Sequence, residues 1–160
     1  MGGMVIDPLP TQLALETRRG NQVANYIDRE PVRWGDEWQM NQYRDEYRHE
    51  EHRPVGPSRK YNCHGLTFAS RRTTIEDAAE VLKIIGDDEY VSITYDEVMR
   101  GDIVIYFEDG DAAHSGIVIG RDALRVPIVL SKWGHCHEVV HRLPKCPYKV
   151  EDVRYYRITT

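Results

Sequence analysis

From residue 90 onward the chain is a succession of short β-rich runs separated by turn residues, and this pattern limits the fold more than any other feature. "YVSIT", "GDIVIYF", "HSGIVIG", "PIVLSKW" and "VEDVRYYRIT" concentrate β-branched and aromatic residues, with "EDGD" and "RDALRV" between them. The chain before residue 90 is polar and helical in character. "TQLALETRRGNQVANYI" is broken by Gly20, and "GDEWQMNQYRDEYRHEEH" sets Met40, Tyr43 and Tyr47 at helical spacing, a stripe suited to core packing. Pro54, Gly56 and Pro57 end that helix. A short helix is expected over about residues 63–71. Thr73 and Glu76 form a capping-box pattern that opens another, with Ile75, Ala78, Ala79 and Leu82 on one face and Gly86 as the stop. Helices followed by a meander of strands predict an α+β fold with a mainly antiparallel sheet.

The length of 160 residues suits one domain, 1–160, with a helical N-terminal extension (1–56) and a core (57–160). Lys and Arg number 21 against 26 Asp and Glu, a net charge of -5, and the basic residues are scattered. That excludes the basic patch or stripe a nucleic-acid partner requires. No window approaches 18 consecutive apolar residues, so no membrane partner is expected. The first 20 residues lack the pattern of a signal peptide, and three cysteines cannot complete a disulfide framework. The expected site of synthesis is a reducing cytoplasm, with export by a specialised secretion system left open. No cofactor is expected.

The stretch "KYNCHGLTFAS" puts Cys63 at what reads as the first turn of a helix. A thiol is a useful nucleophile as its thiolate, which a helix N-terminus and a nearby imidazolium both favour. His114 is the first candidate for that imidazole. Along a strand it shares a face with Gly116, Val118 and Gly120, and two glycines there leave room for a helix or ligand. Singly, a buried cysteine is a small hydrophobe and a histidine near a turn is a surface residue; the case rests on their combination.

"YNCHGLTFA", "RGDIVIYF", "HSGIVIG" and the strand ending "LSKWG", in that order, resemble the NlpC-type branch of the papain-like cysteine peptidases. The resemblance covers about residues 60–135. It implies a papain-like core in which Cys63 is the nucleophile and His114 the base, with a third polar residue from the next strand orienting the histidine. His135 is the choice for that third member, with Ser131 or an ordered water as the alternative, although the family more often has a small residue where His64 stands. Tyr61 would assist at the oxyanion and Trp133 would line a substrate cleft; core packing is the alternative for both. The implied activity is that of an amidase, peptidase or deamidase acting on a peptide or amide substrate. A delivered bacterial effector or toxin, neutralised at home by an immunity protein, fits the same reading.

Two other classes compete. One is a non-catalytic binding module on the same fold. The other is a zinc protein using the His/Cys-rich segment 135–146, where His135, Cys136, His137, His141 and Cys146 supply suitable ligand types. Their spacing matches no usual zinc frame, and a strand through them points Cys136 away from His135 and His137. No metal is therefore expected.

Overall fold

The computed structural model describes residues 12–159. Helices α1 (Trp34–Glu46), α2 (Cys63–Ala69) and α3 (Ala78–Asp87) accompany strands β1 (Glu51–His52), β2 (Tyr90–Ile93), β3 (Ile103–Glu108), β4 (Asp111–Arg121), β5 (Pro127–Lys132), β6 (Glu138–Arg142) and β7 (Asp152–Ile158). The strands form one sheet in the order β1-β6-β5-β4-β3-β7-β2. Every neighbouring pair is antiparallel, so the fold is α+β as the order of segments predicts. Among the described residues no helix is long and apolar enough to cross a membrane.

Alternation along β3 divides the interior in two. Ile103, Ile105 and Phe107 join Ala69, Ile75, Val81 and Ile84 in a core beneath α2 and α3. Val104 and Tyr106 join Val129, Trp133, Val139, Leu143 and Cys146 on the opposite face, and Tyr43 of α1 and Tyr47, the residue that caps its end, pack over them. The aromatic stripe of α1 is thus core cover.

The start of α2 is fixed by one side chain. Asn62 Oδ1 accepts from Gly65 N at 2.9 Å and from Ile75 N at 3.1 Å, and its Nδ2 donates to Ile75 O at 2.7 Å. The cap that begins the helix therefore also holds the extended chain that follows it. Gly65 is required at that junction, because a Cβ there would fall 1.8 Å from Thr73 O.

Three expectations are corrected. Residues 12–33 are not helical: Glu16 bridges to Gln22 around a tight turn at Gly20, whose φ is +79°. The hydroxyl of Thr17 and the amide of Asn21 both donate to Asp87 Oδ2, so tertiary polar contacts and a left-handed glycine override the local helical pattern. The helical part of the N-terminal extension is thus α1, while Thr11 lies outside the described residues. Helix α3 opens later than expected, capped by Asp77, whose carboxylate accepts from Ala79 N at 2.9 Å. Thr73 is instead buried against Asn25, Ile75 is buried in the extended lead-in, and Leu82 is exposed while Val81 and Ile84 face the core. Strand β4 begins before His114, because Asp109 and Gly110 both take positive φ and close a two-residue hairpin turn.

Candidate active site

Cys63 is the first residue of α2 and is buried, with the rings of His64 and His114 close enough to act on its sulfur. The two histidines arrive differently. His114 lies opposite Tyr106 in the β3–β4 pairing, and the next residue, Ser115, lies opposite Ile105. Consecutive residues on β4 face opposite sides of the sheet. His64 bonds Ser115, its Nδ1 2.8 Å from the hydroxyl oxygen, and places its Nε2 3.0 Å from Ala112 O. Gly116 permits the tight packing of β4 on β5, since a Cβ there would come within 2.4 Å of Val129 Cγ1.

The electrostatics separate these groups. Burial favours the neutral Cys63 thiol, but the charge of His64, then that of His114, holds the thiol well below its ordinary value. Burial disfavours a charged His64, yet the Cys63 sulfur and the Ala112 carbonyl raise its affinity for a proton. His114 goes the other way: burial lowers its pKa, and the His64 charge adds to that against the pull of Cys63.

His114 is fully buried and stacked on Tyr148, with ring centroids 3.6 Å apart and planes 6° from parallel. Tyr106 contacts it at a tilt, at 5.3 Å. Neither His114 ring nitrogen has a fully formed hydrogen bond among the described residues. The third member expected from the next strand is not brought to it. The chain leaves β5 through Gly134, at φ +59°, and carries His135 toward α1. There His135 Nδ1 lies 3.1 Å from Asp36 Oδ1 and accepts from Arg59 at 3.1 Å. Ser131 accepts from Trp133 Nε1 at 3.1 Å and bonds His141 Nε2 at 2.7 Å. The position of the His114 ring is therefore set by the Tyr148 stack.

The residues expected to line a cleft are otherwise engaged. Tyr61 donates its hydroxyl to Glu138, which also holds Arg71 through bonds of 2.7 and 3.0 Å. Above the Tyr61 ring lies Lys132 Nζ, 5.0 Å from the centroid, donating to the carbonyls of Ser58 and Gly134 at 2.6 Å each. Burial pushes this lysine down to about 8. Trp133 is fully buried among Tyr43, Tyr47 and His52, so the core alternative describes its surroundings.

The His/Cys-rich segment is dispersed by its strand. Cys136 Sγ points to Asp36 O at 3.6 Å, His137 stacks on His52, and His141 turns to Ser131 and Arg142 O. Cys63, Cys136 and Cys146 are all free thiols. Among the described residues no group of three or more His, Cys, Asp or Glu side chains could hold a metal ion.

Sequence reasoning missed His64 and Tyr148. The first was visible as an unusual neighbour of Cys63. The second is distant in sequence, and "CPYKV" has no pattern that announces it. No protein-family model, curated protein or solved structure matches the chain.

Proposed function

We propose that this protein is a papain-like cysteine hydrolase acting on the carbonyl of a peptide or other amide. The observation that carries the reading is a buried thiol at the first position of α2, with the rings of His64 and His114 beside it and both His114 ring nitrogens uncommitted. As Cys63 Sγ bonds the substrate carbonyl carbon, its proton passes to a His114 ring nitrogen. That proton goes to the leaving nitrogen as the C–N bond breaks, leaving a thioester. A water then gives a proton to His114 as its oxygen attacks the thioester carbon. The proton returns to sulfur as the C–S bond breaks, releasing the acid and restoring the starting state. The Tyr148 stack keeps the imidazole plane fixed through both transfers.

An activated ester tests the nucleophile without knowledge of the natural substrate. With 4-nitrophenyl acetate the protein is expected to release a burst of about one nitrophenolate per chain, with the acetyl group mapped to Cys63 by peptide mass spectrometry. Cys63→Ser removes the burst, and His114→Ala slows turnover of the acetyl-enzyme by at least about a hundredfold. Acetylation spread over all three cysteines, unaffected by His114→Ala, would overturn the reading.

A further inference from the structure

A chain of hydrogen bonds runs from the backbone of Cys63 to the ring of His64, and its direction can be followed. Thr67 Oγ1 lies 3.0 Å from Cys63 O, and a carbonyl only accepts, so the Thr67 proton points there. Thr67 can then only accept from Ser115, which donates its hydroxyl proton at 2.9 Å. With that proton spent, Ser115 Oγ can only accept from His64 Nδ1, at 2.8 Å. On the other side of the ring, Ala112 O can only accept from His64 Nε2, at 3.0 Å. Both nitrogens must therefore donate, and a ring that donates twice is an imidazolium. Reversing the chain would face the Thr67 and Cys63 oxygens at 3.0 Å with no proton between them. His64 and Ser115 are both buried, so no bulk water completes the hydrogen bonds at the histidine end of the chain.

We infer that His64 is a fixed imidazolium, a positioning residue that stabilises negative charge on Cys63 sulfur without exchanging its own protons during the reaction. The inference rests on the hydrolase reading only for what that charge is used for; the protonation state stands on the hydrogen bonds alone. It divides between two histidines the work usually asked of one. His64 supplies a permanent positive charge, and His114, whose nitrogens are uncommitted, moves the proton. The groups acting on this cluster are Cys63 on α2, His114 on β4, Lys132 on β5 and Tyr148 before β7. The raised proton affinity of His64 and the lowered one of His114 agree with the division.

Nitrogen-15 NMR of the full chain labelled at histidine tests the state directly, with the His64 signals identified by their loss in His64→Gln. Both His64 nitrogens are expected to be protonated at pH 7.5 or so, well above the ordinary histidine range. Thr67→Val keeps the shape but frees the Ser115 proton to donate to Nδ1. His64 should then become neutral at that pH, and the rate of Cys63 alkylation by iodoacetamide should fall at least about tenfold. His64→Gln should lower that rate at least as far. One bare His64 nitrogen in the unmodified protein, or an alkylation–pH profile that neither Thr67→Val nor His64→Gln changes from that of the unmodified protein, would overturn the inference. A doubly protonated His64 beside a thiol that forms no acyl-enzyme would support the inference and sink the hydrolase reading alone. Acyl-enzyme formation with a neutral His64 would do the reverse.

Discussion

Cys63 and Cys146 are buried to almost the same degree, 8% and 7% exposed, yet their thiols are pushed in opposite directions. Burial raises Cys146 to about 11, and Cys136, nearer α1, is raised to about 11 for the same reason. Cys63 suffers that burial too but ends well below its ordinary value, because two imidazoles stand against it. The histidines repeat the contrast. His64 gains a proton beside sulfur, whereas His137 and His141, deep in the second core, are driven to about 4. Desolvation is common to both regions, and the character of each is decided by whether an opposite charge is supplied.

The sharpest way to break this comparison is to alkylate all three cysteines in one sample. A thiol with a pKa near 11 is about one part in ten thousand thiolate at pH 7. Iodoacetamide is therefore expected to modify Cys63 at least about a thousandfold faster than Cys136 or Cys146, measured by peptide mass spectrometry against time. Equal rates in the folded protein would erase the distinction between the regions.

Acid should act mainly through the second region. His137 and His141 titrate near 6.5 when unfolded and at about 4 when folded, so between those values the unfolded chain binds more protons. Stability from their neutral forms is present above 6.5 and is lost as pH falls toward 4. A loss of roughly 3 kcal/mol for each histidine over that window is expected from urea unfolding. His141→Gln should flatten the slope, and a flat profile in the unmodified protein would contradict the buried, uncharged state.

The smallest effect separates the cysteines as structural parts. Cys146 packs in the core with Tyr106 and Trp133, so Cys146→Ser buries a hydroxyl there and should cost about 1–2 kcal/mol. Cys63→Ser should cost less, since the site already holds polar partners. Thermal unfolding of the two variants side by side measures the difference, and a greater cost at Cys63 would make it the structural cysteine.

The β-rich half was legible because each strand carries its own local signal. "GDIVIYF" and "HSGIVIG" alternate or run apolar between turn residues, and β3 and β4 lie where those runs do. Cys63 at the start of a helix was legible for a similar reason, since Asn62 is a good cap. Residues 12–33 were misread because what shapes them is remote: Asp87, at the end of α3, is the partner of Thr17 and Asn21. His135 was misjudged because a positive φ at Gly134 redirects the chain by more than strand register can reveal. Tyr148 reaches His114 only through the tertiary path of the loop before β7, which no spacing encodes.

The position of β7 governs how the molecule can be made. It is the last strand in sequence but lies inside the sheet, between β3 and β2. During synthesis, β2 emerges early and waits for residues 152–158, its partners in the ladder. The bond from Thr159 to Glu89 that closes this corner spans 70 residues. Contacts that remote slow folding, because chain entropy is lost before they form. In the interval the β3–β4 hairpin can form with His114 already on it, while the β3 edge destined for β7 stays unpaired. That edge carries Ile103, Ile105 and Phe107, the kind of strand that pairs with other chains. Until residues 152–158 arrive, His114 can thus be in place on its hairpin while the sheet around it is still incomplete.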